Sequence, residues 1–292
     1  MAARPEPMTP TGGRLAIIAG GGRLPHHVAE AAREAGEDPF IIPLTGEADG
    51  DWTGFDHEPL FVGDFAGVTR AFRARGVDRV VLSGGVRRRP DWRGIRPTIP
   101  FLFRMPRVVS TLLKGGDDTV LKMVIDLIES AGARVVGVQD ILPSLLAETG
   151  PIGAVSPDDA ALADIRAASE AATALGRLDI GQGAIAVGGR VVALEGPEGT
   201  DAMLARVAGL KAEGRISARR RGVLVKLCKP QQDVRADLPS VGPATIENAH
   251  AAGLAGVVVE AGRALVLDRR AVIGTADRLG LFLAGIERET MA

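Results

Sequence analysis

Two short apolar runs, each closed by glycines, constrain the fold of this chain more than any other feature. Leu15–Ala19 is followed by Gly20–Gly22, and Arg79–Ser83 is followed by Gly84–Gly85. The first glycine run leads into His26–Ala35, which has the pattern of a helix. Strand, glycine turn and helix in this order are typical of a doubly wound, Rossmann-like α/β domain with a parallel sheet. Because such sheets bind ligands at the carboxyl ends of their strands, both glycine turns are expected at one edge.

The first glycine turn has both a functional and a structural interpretation. Glycine lets backbone N–H groups approach a ligand closely, so Gly20, Gly21 and Gly22 are candidates for holding a phosphate at the start of the following helix. The spacing is not GxGxxG and no P-loop GK[ST] follows, which argues against a nicotinamide or ATP site. The alternative is a tight strand-to-helix turn without a ligand.

The second half of the chain predicts a different architecture. Ala184–Leu194 has the pattern of a hairpin with a glycine turn, and Leu254–Leu267 is predicted to form another. Pro157–Ala174 and Asp277–Ala284 are predicted helices. The hairpins favour an α+β domain over a second doubly wound sheet. The predicted division is a flexible tail at 1–13, a Rossmann-like domain at 14–139, a Pro/Gly-rich linker at 140–156 and an α+β catalytic domain at 157–292.

Composition excludes several classes of protein. The 292 residues favour two domains, and the net charge of −1 argues against a surface that seeks nucleic acid throughout. The single cysteine, Cys228, excludes an internal disulfide and any multi-cysteine metal site, and it fits a reducing compartment. No apolar run reaches the roughly 18 residues of a membrane span, and the first residues lack the apolar core of a signal peptide. A soluble, cytoplasmic protein is expected.

The stretch from Lys226 to Thr245 concentrates acids, bases, amides and turn formers. Asp233, Arg235 and Asp237 alternate, which on an extended segment places all three on one face. Two carboxylates about 7 Å apart with a guanidinium between them can hold a divalent cation and an anionic oxygen together. The alternative is a solvated strand face with weak ion pairs. Cys228, just before, is either a thiol nucleophile or a small buried residue.

Other polar clusters leave similar alternatives open. Asp117 or Asp118 can cap the helix predicted at Val120–Ser130, and the other acid is a candidate metal ligand. Thr200 and Asp201 can cap the helix that follows them. The functional alternative is that Glu195, Glu198 or Asp201 faces the central site.

A basic segment, Arg87–Arg107, carries seven arginines interleaved with Trp92, Phe101 and other apolar residues. This pattern suits RNA, or an amphiphile with phosphate and acyl chains, and a solvated loop is the structural alternative.

Four stretches together resemble one enzyme family. They are IAGGGRLP at 18–25, GDDTVL at 116–121, VVALEGPEGTDAML at 191–204 and KPQQDVRADLPSVGPAT at 229–245. The chain resembles, over nearly its whole length, the UDP-2,3-diacylglucosamine pyrophosphatases of lipid A biosynthesis, in the form unrelated to the metallophosphoesterases. One departure is Gln231, where glycine is commoner in the family.

The resemblance implies a magnesium-dependent, two-domain hydrolase. It would cleave the pyrophosphate of UDP-2,3-diacylglucosamine to UMP and 2,3-diacylglucosamine 1-phosphate at the cytoplasmic face of the inner membrane, as a peripheral protein. An acid of the Asp233–Asp237 motif would be catalytic, Asp233 being the expected one. The residue types agree, since Asp233 and Asp237 can hold Mg²⁺ or orient water while Arg235 binds a phosphoryl oxygen.

The remaining expectations concern binding and partners. Residues expected to contact the substrate are Gly20, Gly21, Gly22, Arg23, Leu24, Gly84, Gly85, Thr200, Gln232 and Thr245. The segment Arg87–Arg107 is expected to meet the acyl chains and the membrane surface, and a homodimer is expected. The competing functions are a non-catalytic nucleotide- or lipid-binding regulator and an RNA-binding protein, the latter disfavoured by the net charge.

Overall fold

The computed structural model describes residues 13–86 and 117–288, which form two compact units. The first unit consists of the described residues up to Pro143 together with Asp233–Asp237. The second consists of Ser144–Gln232 and the described residues from Leu238 on. The chain therefore returns to the first unit for a short part of its central stretch. The domain and linker boundaries given above stay predictions.

Strands and helices alternate along the first unit. In chain order they are β1 (Arg14–Ala19), α1 (Leu24–Glu34), β2 (Phe40–Pro43), β3 (Asp56–His57), α2 (Phe65–Arg75), β4 (Val77–Ser83), α3 (Asp117–Ser130), β5 (Arg134–Val136) and α4 (Val138–Ile141). The five described strands are all parallel, in the order β3-β2-β1-β4-β5. This is the order of a doubly wound, Rossmann-like sheet, so the predicted fold class is confirmed.

The sheet of the first unit is buried on both faces, which explains its unbroken apolar runs. Ile17, Ile41 and Val81 lie in register on β1, β2 and β4 and are fully buried. On the face carrying Val80, Phe72 of α2 and Ile125 of α3 complete the apolar core. Burial of these side chains therefore fixes α2 and α3 on one side of the sheet.

The two glycine turns lie together at the carboxyl ends of β1 and β4, as predicted. Gly21 and Gly85 exchange backbone hydrogen bonds of 2.8 and 3.0 Å. A Cβ on Gly84 would lie 2.7 Å from the Gly21 carbonyl oxygen, and one on Gly20 would lie 2.5 Å from the Gly85 carbonyl oxygen. Gly84 also has a φ of +87°, which disfavours any side chain. Close approach of the two turns therefore requires glycine in both.

The second unit contains a mixed sheet. Its elements are β6 (Gly150–Pro151), α5 (Asp159–Arg177), β7 (Gly183–Val187), β8 (Arg190–Leu194), α6 (Gly199–Ala212), β9 (Gly222–Lys226), β10 (Ser240–Val241), α7 (Pro243–Ala251), β11 (Leu254–Glu260), β12 (Leu265–Val266), α8 (Arg269–Leu279) and β13 (Phe282–Ile286). The six-stranded sheet has the order β6-β13-β11-β9-β7-β8. Its edge strands are antiparallel to their neighbours, and β9, β11 and β13 are parallel. The hairpin predicted at Ala184–Leu194 is confirmed.

Two predictions for the second half are wrong. The strand β11 does not pair with β12, which instead pairs in parallel with β10, so the second hairpin is absent from the described residues. The run that follows Leu254 is buried on both faces between two parallel neighbours, and such runs do not alternate. The second wrong prediction is the helix at Asp277–Ala284. The last described helix ends at Leu279, where Gly280 adopts the left-handed conformation, and Phe282–Ile286 is a strand.

Apolar side chains from both faces of the mixed sheet hold the second unit together. Leu224 and Val257 lie in one cluster, and Val225 and Val258 lie in the other, against α5. Among residues 13–86 and 117–288, no helix is both long and apolar enough to cross a bilayer.

The contact between the glycine turns predicts an asymmetric effect of two alanine substitutions. Gly36 has a φ of +85°, and a Cβ added there would meet no atom of the described residues within 4 Å. Gly36→Ala should therefore lower the free energy of unfolding by about 1 kcal/mol from backbone strain alone. Gly84→Ala adds a steric clash with backbone and should cost about 3 kcal/mol. Calorimetric unfolding of both variants measures the difference; equal losses would mean that the turns can move apart freely.

Candidate active site

The segment Asp233–Asp237 forms a turn, and not the extended segment on which alternation would place its three charged side chains on one face. The backbone N–H groups of Ala236 and Asp237 donate to the carbonyl of Asp233, at 3.1 and 3.3 Å. The N–H of Arg235 donates to the Asp233 carboxylate at 3.1 Å, which closes an Asx turn. An aspartate that bonds the backbone two residues on stabilises a turn, and this local bond overrides the alternating pattern.

The turn is held by contacts inside the first unit. Ala236 packs against the apolar cluster that contains Phe72 and Ile125. The side-chain amide of Gln139, on α4, donates to the Val234 carbonyl at 3.1 Å. One methyl group and one backbone acceptor of the turn are thus bound to the sheet's flanking helices.

A bidentate ion pair joins Asp233 to Arg235. The guanidinium Nε and Nη2 donate to the two carboxylate oxygens at 3.0 and 2.7 Å, and Nη1 donates to Glu129 of α3 at 2.8 Å. The side chain of Asp233 is 19% exposed, whereas Arg235 and Glu129 are both 38% exposed. Exposed pairs contribute about 0–1 kcal/mol, so the better buried, two-bonded Asp233 contact is the stronger of the two.

The same contacts determine the charge of the turn. Hydrogen bonds from the Arg235 side chain lower the pKa of Asp233, and the positive charge of Lys122 adds to this effect. The pKa of Arg235 is raised, chiefly by its bonds to Asp233. Asp233 is therefore a carboxylate at neutral pH, and it suits cation binding or orientation of water better than proton donation.

Helix α3 contributes two charged side chains, Lys122 and Glu129, that act on the turn and that were not singled out from the sequence. Lys122 and Asp118 form an (i, i+4) ion pair of 2.8 Å in which the Asp118 side chain is buried. Glu129, farther along the same helix, contacts Arg235. The spacing of Asp118 and Lys122 predicts their pairing, but no local pattern indicates that Glu129 meets a residue 106 positions away. The position that would cap α3 lies outside the described residues, so the predicted capping role of Asp117 or Asp118 stays a prediction.

The amides of the first glycine turn all donate within the protein. Gly20 N–H donates to the Ser83 carbonyl at 2.8 Å, and Gly21 N–H donates to the Gly85 carbonyl. Gly22 N–H donates to the carboxylate of Asp49 at 2.8 Å. An anionic side chain thus occupies the place where a phosphate was expected, and a substrate phosphate would have to displace Asp49 from Gly22.

The other residues expected at this turn lie at the start of α1. Leu24 is its first residue, Arg23 precedes it, and the first turn of the helix carries no acidic side chain. The positive end of α1 is therefore not neutralised by an acid of its own. A role in binding for Arg23, Leu24, Gly84 and Gly85 stays a prediction.

Three residues expected to bind substrate lie in the second unit, each with a structural partner there. Thr200 donates to the buried carboxylate of Glu195, and Thr245 accepts from Gly242 N–H at 3.4 Å at the start of α7. The side chain of Gln232 accepts from Lys229 N–H at 2.9 Å. These bonds give each of the three side chains a structural role within the second unit. Contacts of the three residues with a substrate stay predictions.

Cys228 and the chain around it are anchored at the end of β9. Cys228 is buried, and its thiol donates to Gln232 at 3.3 Å. Its backbone N–H donates to the buried carboxylate of Glu260 at 3.0 Å. Lys229 forms a 2.6 Å ion pair with Asp179. The cysteine therefore has the surroundings of a small core residue, while Lys229 anchors the segment that leads to the Asp233 turn.

The structure gives no location for two predicted features, the metal site and the basic segment. No group of three or more His, Cys, Asp or Glu side chains that could hold a metal is found within the described part of the chain. The basic segment Arg87–Arg107 lies outside the described residues.

Comparison with known proteins identifies relatives along the whole chain. The family described as "LpxI N-terminal domain" matches residues 14–145, and "LpxI C-terminal domain" matches residues 148–284. The UDP-2,3-diacylglucosamine pyrophosphatase LpxI of Caulobacter vibrioides is 43% identical over 275 residues, which cover 94% of this chain and 98% of that protein.

Two solved structures are distant matches. UDP-glucose 4-epimerase of Thermus thermophilus in complex with NAD is 13% identical with a TM-score of 0.30, over 92% of this chain and 84% of that one. Isoflavone reductase is 12% identical with a TM-score of 0.29, over 96% and 80%. At these identities and TM-scores, the two structures support no inference about the fold or the function of this chain.

The Arg235 contact predicts a measurable change at Asp233. Arg235→Met should raise the pKa of Asp233 towards the ordinary aspartate value, because the variant removes the bonds that favour the carboxylate. Since folding lowers this pKa, the pair stabilises the protein above the unfolded-state pKa of about 3.9, and that contribution is lost as pH falls through the folded value. Carbon-13 NMR titration of the aspartates measures the shift. Glu129→Gln keeps both Asp233 bonds and serves as the control, so an equal shift in the two variants would contradict the assignment.

Proposed function

Because the chain belongs to the LpxI family, we propose that it hydrolyses the pyrophosphate bond of UDP-2,3-diacylglucosamine in lipid A biosynthesis. The products would be UMP and 2,3-diacylglucosamine 1-phosphate. The observation that carries the proposal is the 43% identity to the Caulobacter vibrioides enzyme over nearly the full length of both chains. Identity of this extent covers both family domains and the Asp233–Asp237 turn.

The Asp233 turn supports the assignment of the reacting groups. Asp233 is ionised and held in one orientation by Arg235, and Asp237 lies on the same turn. An ionised carboxylate can orient a water molecule or bind a cation without first losing a proton. We therefore assign these two carboxylates to metal binding and water orientation.

Arg235 retains capacity for a substrate oxygen. A guanidinium has five N–H donors, and the contacts to Asp233 and Glu129 within the described residues use three of them. The other two can bond a phosphoryl oxygen while the ion pair stays intact. Arg235 would thus position Asp233 and bind substrate at the same time.

A magnesium ion fits the donor set of the turn. Mg²⁺ in phosphoryl-transfer sites is commonly held by one or two carboxylates together with substrate phosphates and water, so a site of three protein ligands is not required. Asp233 and Asp237 would hold the ion. When bound, it would neutralise charge that develops on the pyrophosphate.

Binding of the nucleotide is assigned to the glycine turns and the start of α1. The positive end of α1 would attract an anionic group, and Arg23 adds a cation there. The cytoplasmic location and the peripheral contact with the inner membrane remain part of this proposal and follow from the family resemblance. The homodimer also remains part of it and follows from the aromatic-poor, apolar composition.

The first test measures UMP release by purified protein. The wild type should release UMP from UDP-2,3-diacylglucosamine with Mg²⁺ and lose activity in EDTA. Asp233→Ala and Asp237→Ala should lower kcat/KM by about 10²–10⁴-fold, the range expected when a group that positions metal or water is removed. Asp126→Asn, which alters an exposed carboxylate of α3, is the matched control. Full activity in both alanine variants would overturn the site assignment, and tight binding without turnover would favour the regulatory alternative.

A second test identifies the bond that breaks. Mass spectrometry of the reaction should show UMP and a diacylglucosamine phosphate, because the pyrophosphate bond is cleaved. Formation of UDP and a phosphate-free diacylglucosamine would instead indicate glycosidic cleavage. Reaction in ¹⁸O-water places the label on the phosphorus that water attacks.

A further inference from the structure

The first unit contains an apolar cavity to which no ligand has been assigned above, although its wall includes Gly20 and Gly84 of the glycine turns. It has a volume of about 190 Å³ and lies between α2, α3 and the carboxyl ends of β1 and β4. Its walls include Val68 of α2, Leu82 of β4, and Val124 and Ile128 of α3. Ligand cavities of this apolar kind take hydrophobic groups.

Two exposed apolar residues line this cavity. Phe61 is 59% exposed and Val86 is 47% exposed. Large apolar side chains exposed next to a cavity commonly mark a binding site. The described residues thus provide an apolar way in from the surface.

The cavity also borders the candidate active site. Ala236, in the middle of the Asp233–Asp237 turn, is part of its wall. A ligand seated in the cavity therefore lies next to the turn that carries both candidate catalytic carboxylates.

The chemistry of the cavity wall indicates which part of the substrate can bind there. Among the described residues of the wall, the only ionisable one is Asp64, whose carboxylate caps α2 by accepting from Gly67 N–H at 2.9 Å. A carboxylate repels phosphate, and the apolar wall offers no set of polar groups for a uracil or a sugar. An acyl chain matches this apolar wall.

We propose that this cavity binds one acyl chain of the substrate. The inference rests on the proposed function, since the chain belongs to a diacylated sugar. Burial of the acyl chain beside Ala236 would position the sugar phosphate at the Asp233 turn.

The first experiment narrows the cavity. Val124→Phe places a larger side chain on α3 inside the cavity, and Leu178→Phe, at an exposed position of the second unit, is the control. Activity is measured on UDP-diacylglucosamines with long and with two-carbon acyl groups. Val124→Phe should lower kcat/KM for the long-chain substrate by about 30-fold or more and leave the short-chain substrate within about twofold, because each methylene excluded from an apolar site weakens binding. Equal losses on both substrates, in a variant whose thermal unfolding matches the wild type, would overturn the proposal.

The second experiment does not depend on turnover. A 2,3-diacylglucosamine 1-phosphate with a photoreactive group at the end of one acyl chain is cross-linked to the wild type and mapped by mass spectrometry. Cross-links to residues 61–68 or 120–128 support the proposal, and cross-links confined to other peptides overturn it. If the wild type releases no UMP from either substrate, the hydrolase proposal fails, while the cross-links still report on the cavity.

Discussion

The bonds between Asp233 and Arg235 are the interaction on which the candidate site depends. They fix a carboxylate in the ionised state, close the turn that presents Asp237, and extend through Arg235 to Glu129 on α3. One guanidinium makes both side-chain bonds to Asp233 and the bond to Glu129, so its loss would raise the pKa of Asp233 and separate the turn from Glu129. The backbone N–H of Arg235, which closes the turn, would remain. An Arg-to-Lys change would not restore this, since an ammonium cannot bond both carboxylate oxygens and a third acceptor in one plane.

The order of the first unit follows from local sequence signals, whereas the turn does not. Apolar runs ended by glycines predict parallel strands and place Gly21 beside Gly85, because such strands end at a common edge. The alternation of Asp233, Arg235 and Asp237 predicts a strand equally well on pattern alone. What decides against it is the Asx turn at Asp233 and the docking of Ala236 in an apolar core built from residues far earlier in the chain. Tertiary contacts of that separation leave no trace in a single sequence.

The glycine turns show a similar limit for function. Their conformation is predictable, but glycine-rich turns that hold a phosphate and those that only let two loops meet share the same sequence signal. The structure shows why glycine is required at two of these positions: Gly20 and Gly84 let the two turns approach each other closely. The backbone amides of Gly21 and Gly22 already donate to acceptors within the protein. Any anion at this edge must therefore bind at the start of α1, or compete with Asp49 for Gly22.

Charge balance gives an independent reason for a cation in the proposed reaction. Within the described residues, the turn together with the ion-paired side chains of α3 contains four carboxylates, Asp118, Glu129, Asp233 and Asp237, and two cations, Lys122 and Arg235. Lys122 and Arg235 are each already paired with carboxylates in this group. A pyrophosphate brings further negative charge, so its approach to these residues alone would be repulsive. A divalent cation bound by Asp233 and Asp237 would cancel the excess of two negative charges in this group. The same carboxylates that would repel a bare pyrophosphate would then attract it as its magnesium complex.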